Sequence, residues 1–140
     1  KTDFTPLGIV SLELASSITQ VQHILAIWNH KDLLLNIGLD FLFIPAYTFF
    51  FIQSLKITIS KHRLGWLQQV GNKLIAVAYL AAALDSIENL LMLSSMMGHY
   101  SAGSICATAS IATTKFVGIG FILLYLIGSL PSTLSRKVAN

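Results

Sequence analysis

Charged side chains are scarce in this sequence, and their scarcity restricts the kind of protein that it encodes. Asp, Glu, Lys and Arg make up 11% of the 140 residues, whereas hydrophobic residues make up 54%. A soluble domain carries about 25% charged residues. A chain with so few charges cannot build a surface that water solvates everywhere, so we expect most of this surface to face lipid.

Cysteine and the usual signatures of cofactor or metal binding are also lacking. Cys106 is the single cysteine; it excludes an internal disulfide and matches no metal or redox spacing. No Gly-rich phosphate loop, HExxH or Ser-His-Asp arrangement occurs, so the sequence identifies neither a cofactor nor a metal. The net charge is only +3 and the basic residues are not clustered, so nucleic acid is not an expected partner.

Long apolar segments are what the sequence has instead. Segments 33–55, 74–97 and 105–130 are each long enough to cross the bilayer, which takes roughly 20 helical residues for about 30 Å of hydrocarbon. Pro131 follows the last segment and favours an end to its helix. These three segments predict three transmembrane helices.

A fourth segment, 6–28, has one apolar stripe and one polar face that carries Glu13, Gln20 and His23. Such a helix either spans with its polar face turned into a bundle or lies along the interface. Its length and its lack of basic residues favour spanning. The sequence therefore predicts an all-α polytopic membrane protein, a single domain over 1–140 that forms an antiparallel four-helix transmembrane bundle.

Basic residues in the connections predict the orientation. The connection between the second and third segments is rich in them, and two more follow the last segment: Lys56, Lys61, Arg63, Lys73, Arg136 and Lys137. The positive-inside rule places this side and both termini in the cytoplasm, which for a bacterial protein means the inner membrane. Residues 61–69 are expected to lie along that surface. His30, His62 and His99 fall in connections, where we expect solvent.

Several charged residues fall inside the apolar segments, where each costs about 2.5–3.5 kcal/mol on insertion scales. Counting about 1.5 Å per residue places most of them at similar depths in the outer half of the membrane, with Glu13 deeper. The predicted cluster, which is either ligand-binding or structural, consists of Asp40, Asp85, Glu88, Asn89 and Lys115, with Glu13, Gln20, His23 and Tyr47 as further contributors.

The charges of this cluster do not balance, since Asp40, Asp85 and Glu88 oppose only Lys115. In a low dielectric, a carboxyl group must be protonated, a cation must bind, or water must enter. The alternative is a structural network in which an Asp85–Lys115 ion pair and hydrogen bonds hold the helices together. The sequence leaves both interpretations open.

The chain resembles a family of small bacterial integral membrane proteins that has no established activity. The most specific part is Leu84-Asp85-Ser86-Ile87-Glu88-Asn89, a Leu-Asp-x-x-Glu-Asn element. Leu12–Ser17, Leu39–Phe43 and Lys115-Phe116 add to the similarity. The resemblance implies four helices, and it marks Glu13 and Asp40 together with the cluster on the later helices as motif residues.

The expected function is non-enzymatic. The cluster binds a proton, a cation or a small polar head group, or it holds the bundle as an interaction module. The first alternative is an accessory or assembly subunit of a larger membrane complex, and the second is an enzyme acting on a lipid or quinone. The lipid bilayer is the expected partner, with other membrane subunits or a homo-oligomer left open.

Overall fold

The computed structural model describes residues 8–134, with side chains described for residues 8–129. This part of the chain is helical throughout, apart from turns and short connections. Five helices follow one another along it: α1 (Val10–Glu13), α2 (Ile18–Ile27), α3 (His30–Lys61), α4 (Gly65–Met96) and α5 (Ala102–Leu134).

Three of these helices have the length and hydropathy needed to cross a membrane. The described residues contain apolar helices of 32, 32 and 28 residues, at His30–Lys61, Gly65–Met96 and Ala102–Ser129. A 32-residue helix is about 48 Å long, so its ends extend beyond about 30 Å of hydrocarbon. The prediction of a multi-pass helical membrane protein is confirmed, and all three helices are longer than predicted.

The predicted single helix over 6–28 is wrong in the part that the structure describes. The chain forms the four-residue α1, leaves the helical conformation at residues 15–16, and begins α2 after Ser17. Ser17 Oγ accepts a hydrogen bond from Gln20 N, and Gln20 Oε1 accepts one from Ser16 N. This arrangement resembles a capping box, except that the second bond comes from the residue before the N-cap. At about 15 Å, α2 spans half of the hydrocarbon, and a fourth transmembrane helix is not confirmed.

The connections between the long helices are short. Only 62–64 separate α3 from α4, so the expected surface segment 61–69 is instead mostly the first turn and a half of α4. Gly98, with φ of 83°, ends α4, and His99 N donates to Ser94 O in the Schellman pattern that favours glycine. At the other end of α5 the helix continues through Pro131; Pro6, Arg136 and Lys137 lie outside the described residues.

Two apolar cores lie along α4, which packs extensively against both α3 and α5. One core, at the end of the molecule that contains His30, joins α1 and α2 to the long helices through residues such as Leu12, Val21 and Met92. The second core joins the long helices nearer their other end through residues such as Leu55 and Ile122. The charged side chains lie between these two cores.

Close packing continues beyond the second core. A Cβ on Gly71 would lie 2.4 Å from Ile59 Cγ1 and 2.6 Å from Tyr125 Oη, and Tyr125 Oη donates to Leu67 O at 3.0 Å. His62 was expected in solvent, but it is buried and its Nε2 lies 2.9 Å from Ser129 Oγ. The prediction for His62 is therefore wrong, because the short connection packs its ring between helices instead of exposing it.

Candidate functional site

Lys115 on α5 is a buried cation surrounded by carboxyl groups. Its Nζ lies 2.8 Å from Asp85 Oδ1 and 2.8 Å from Glu88 Oε2, and 3.7 Å from Glu13 Oε2. All four side chains are at least nine-tenths buried. The predicted meeting of Asp85, Glu88 and Lys115 is thus observed, and Glu13 contacts them although it was expected deeper in the membrane.

The pattern of α4 explains why these groups face inward. Ala78 and Ala81 are fully or almost fully buried, and Asp85 and Glu88 follow them on the same helical face. Small residues let neighbouring helices approach closely, and the i, i+3, i+4 relation keeps the polar residues on that face. The break in the first segment leaves Glu13 at the end of α1, which contacts both α4 and α5.

Glu13 and Glu88 are neighbouring carboxyl groups. Oε2 of Glu13 and Oε2 of Glu88 lie 3.7 and 2.8 Å from the same Lys115 Nζ. Glu13 Oε2 and both Glu88 oxygens receive no hydrogen bond when both groups are carboxylates. Lys115 Nζ lies 2.8 Å from Glu88 Oε2, so this contact is an ion pair whose geometry is poor for a hydrogen bond. Two ionised carboxylates have no donor to share, so a proton on one of them would supply a donor that these buried oxygens lack.

Burial favours the protonated form of this pair. Glu13 belongs to α1, outside the three membrane-spanning helices; burial raises its pKa above the usual value, and the positive charge of Lys115 opposes part of the rise. A carboxyl group removed from water prefers to be neutral. The environment of Glu13 therefore favours a proton on this pair of carboxyl groups.

Two further hydrogen bonds extend the cluster toward α3. Tyr47 Oη donates to Asp85 Oδ2 at 2.7 Å, which leaves Asp85 with one partner on each oxygen. Asn89 Nδ2 donates to Asp40 Oδ2 at 2.8 Å. Tyr47, Asp40 and Asn89 therefore lie where the sequence predicted, at the side of the cluster formed by α3 and α4.

Two cavities adjoin the cluster and share Ile9, Asp40 and Phe43 as lining residues. One has a volume of about 270 Å³ and is lined at its polar side by Asn36 and Asn89 as well as Asp40. The other has a volume of about 330 Å³ and is lined mainly by apolar residues, with polar groups that include Tyr47, Asp85 and Lys115. The charged cluster is therefore accessible from spaces at its edge.

Gln20 and His23 were predicted as contributors, and the structure does not bring them to the cluster. Both are exposed on α2, where they line a separate surface cavity. The helix is interrupted at residues 14–17, so the polar face that a continuous helix would have presented is divided between α1 and α2. Glu13 stays with the site, and the other two residues face outward.

Metal binding receives no support from the geometry. Across residues 8–129 no three His, Cys, Asp or Glu side chains are arranged to hold a metal ion. Asp85 and Glu88 are occupied by Lys115, and Asp40 is bonded to Asn89. The four oxygen-bearing side chains that the sequence offered for a cation therefore do not converge.

Phe43 and Ile9 are lining residues that the sequence analysis did not identify. Phe43 is one helical turn before Tyr47, and their ring centroids lie 5.5 Å apart, so it shares the face of α3 that points toward the cluster. The i, i+4 spacing from Tyr47 could have predicted from the sequence that Phe43 lies near the cluster. No such spacing exists for Ile9, because its position depends on the turn that follows α1.

No protein-family model matches this chain, and no curated protein or solved structure is similar to it. The geometry of the site is therefore the basis for its functional interpretation.

Proposed function

We propose that this chain is a non-enzymatic multi-pass membrane protein whose buried cluster binds one proton between Glu13 and Glu88. The observation that carries the proposal is that Glu13 and Glu88 share Lys115 while three of their buried oxygens have no hydrogen-bond partner. Asp85 bonds through its two oxygens to Lys115 and Tyr47. A proton on Glu13 or Glu88 lowers the net charge of the three carboxyl groups and Lys115 from −2 to −1.

The proton links the N-terminal segment to the three long helices. Glu13 belongs to α1, whereas Glu88 belongs to α4, so loss of the proton would leave two carboxylates around one lysine at this interface. Neighbouring like charges in a low dielectric repel strongly. Release of the proton would therefore weaken the attachment of α1, and its binding would restore it.

Access of a thiol reagent to the segment tests this function. Ser11 is partly buried on α1, two residues before Glu13, and Cys106 is the single native cysteine, so Ser11→Cys in a Cys106→Ser background gives one reporter. Exposed Cys106 in the wild-type chain reports the intrinsic pH dependence of thiol labelling. We expect the labelling rate of Ser11→Cys to rise more steeply with pH than that of Cys106, and we call this difference the excess rise. Glu13→Gln needs no shared proton and should remove the excess rise.

Equal pH dependence of the two cysteines would contradict the proposed function. So would an excess rise that persists in Glu13→Gln, since the amide cannot ionise. Asp32→Asn is the matched control because it removes an exposed carboxylate from the start of α3 and should leave the excess rise unchanged.

The proposed topology has three membrane crossings and an N-terminal segment that is folded against one end of them. Exposed Lys61 and Arg63 at the α3–α4 junction support a cytoplasmic position for that end under the positive-inside rule. In this arrangement α1 and α2 lie on the opposite side, at the His30 end. The composition and orientation signals fit a bacterial inner membrane.

An accessory subunit of a larger complex is the alternative. Phe49, Phe50 and Phe121 are exposed on the outer faces of α3 and α5, which suits either lipid or the helices of a partner. Purification from native membranes in mild detergent distinguishes these, because an obligatory subunit would co-purify with a partner in fixed stoichiometry. A chain that is always isolated alone would contradict the subunit alternative.

A further inference from the structure

The cavity of about 270 Å³ at Asp40 has no part in the proton site and has a different chemistry. We propose that it binds the primary ammonium group of a membrane-soluble amine. The proposal does not depend on the shared proton, because neither Glu13 nor Glu88 lines this cavity.

One hydrogen-bond acceptor at the wall of the cavity lacks a partner. Asn89 is completely buried and lines the cavity; its Nδ2 donates to Asp40, while its Oδ1 receives no hydrogen bond. A buried acceptor without a partner is unfavourable. An occupant could donate one N–H group to the half-buried Asp40 carboxylate and, after a shift of the buried Asn89 amide, a second to Asn89 Oδ1.

The local charge indicates a cation. Asp40 is half-buried, and across residues 8–129 it makes no ion pair. Lys115 instead pairs with the other carboxyl groups of the cluster: Glu13, Asp85 and Glu88. A carboxylate within the membrane is stabilised by a positive partner. An ammonium group supplies both the charge and up to three N–H donors.

The remaining lining indicates that the cation is carried by an apolar molecule. Ile37, Leu39 and Met92 surround the polar side, and exposed Leu39 and Phe43 stand at the lipid-facing edge. The Phe43 ring can in addition attract a cation through its face. An amphiphilic amine could enter sideways from the bilayer and leave its alkyl chain among these groups.

A zwitterionic phospholipid with an ethanolamine head group offers the same ammonium chemistry. Its phosphate, however, would lie close to Asp40, and no basic side chain lines this cavity to receive it. The charge pattern therefore favours an amine of net positive charge over the phospholipid.

Binding is tested with the full chain purified in a neutral maltoside detergent, with octylamine as the probe. The readouts are the shift of the thermal unfolding midpoint with octylamine concentration and the adduct mass in native mass spectrometry. We expect Asp40→Asn to weaken octylamine binding about tenfold or more, the usual effect of losing a hydrogen bond to a charged group. Octyltrimethylammonium, which has no N–H, should bind more weakly than octylamine, and octanol should not bind measurably.

Matched variants keep the result interpretable. Asp32→Asn removes an exposed carboxylate from the same helix and should retain wild-type affinity. Phe43→Leu changes an exposed lining residue without touching the apolar cores, and it should weaken octylamine binding severalfold even if Asp40→Asn proves unstable. Equal octylamine affinity in the wild type, Asp40→Asn and Phe43→Leu would overturn the proposal, as would octanol binding as tightly as octylamine.

The source of the ammonium group is tested in the same assay. If phosphatidylethanolamine forms an adduct that Asp40→Asn loses, and phosphatidylglycerol forms none, the site takes the ammonium group of a lipid head group. If octylamine binds and neither lipid does, the site takes a free amine, which is the result we expect. Failure of octylamine and phosphatidylethanolamine alike would overturn the ammonium site and leave the Glu13–Glu88 proton site unaffected.

Discussion

Oε2 of Glu13 and Oε2 of Glu88 lie 3.7 and 2.8 Å from the same Lys115 Nζ, although Glu13 belongs to a four-residue helix and Glu88 to the last third of the long helix α4. Across residues 8–129, Lys115 makes every ion pair of this group. The shared lysine ties the N-terminal segment to the long helices, and under our proposal one proton is bound beside it.

Lys115→Met should lower the stability of the protein strongly. It removes the cation that contacts three buried carboxyl groups while keeping a side chain of similar length. Breaking a buried ion pair from one side costs about 3–5 kcal/mol. The thermal unfolding midpoint in detergent measures the loss, and Lys73→Met, which removes an exposed lysine of α4, should change it little.

The stability contributed by Glu13 should depend on pH in a defined direction. Its pKa in the folded protein is raised above 4.5, so the folded state holds more protons than the unfolded state between the two values. The contribution is complete below the ordinary carboxyl pKa and is lost as pH rises through the raised value. Glu13→Gln should flatten this part of the profile of unfolding midpoint against pH. A wild-type profile that rises over that range would contradict the assignment.

Gly71→Ala should destabilise the packing of α3, α4 and α5 near the second core. The new Cβ would lie 2.4 Å from Ile59 Cγ1 and 2.6 Å from Tyr125 Oη, so these side chains must move and the Tyr125–Leu67 hydrogen bond is disturbed. Overpacking of this kind costs about 1–3 kcal/mol. Gly120→Ala is the control, because nothing lies within 4 Å of a Cβ at that position; equal unfolding midpoints for the two variants would be inconsistent with this packing.

The topology can be measured with single cysteines introduced at exposed positions in a Cys106→Ser background. Gln22 on α2, Ser101 before α5 and Arg63 before α4 are all exposed. With three crossings, a membrane-impermeant thiol reagent should label Gln22→Cys and Ser101→Cys from the same side, and Arg63→Cys from the other. Labelling of Gln22→Cys from the Arg63 side would instead mean that the N-terminal segment crosses the membrane.

Hydrophobicity and helical periodicity were enough to predict the long helices and the polar face of α4. Asp85, Glu88 and Lys115 meet because residue spacing fixes both depth and face in a straight transmembrane helix. Asp40, Asn89 and Tyr47 follow for the same reason.

The first segment could not be predicted in this way, since its apolar stripe continues through the break. The Ser17–Gln20 cap is the signal that ends the continuous helix, and it is weak beside 23 residues of suitable periodicity at 6–28. The missed break is why Gln20 and His23 were assigned to the site and Glu13 was expected too deep. His62 was misplaced because burial of a residue in a connection depends on how the helices pack around it.

The shared proton is tested most directly by infrared spectroscopy of the protein in lipid nanodiscs at neutral pH. A protonated carboxyl group has a C=O stretching band that carboxylates lack. The wild type and Asp32→Asn should show this band, and Glu13→Gln and Glu88→Gln should each lose it, because the amide can donate to the remaining carboxylate without a proton. Absence of the band from the wild type, or its persistence at full intensity in both variants, would contradict a proton held between Glu13 and Glu88.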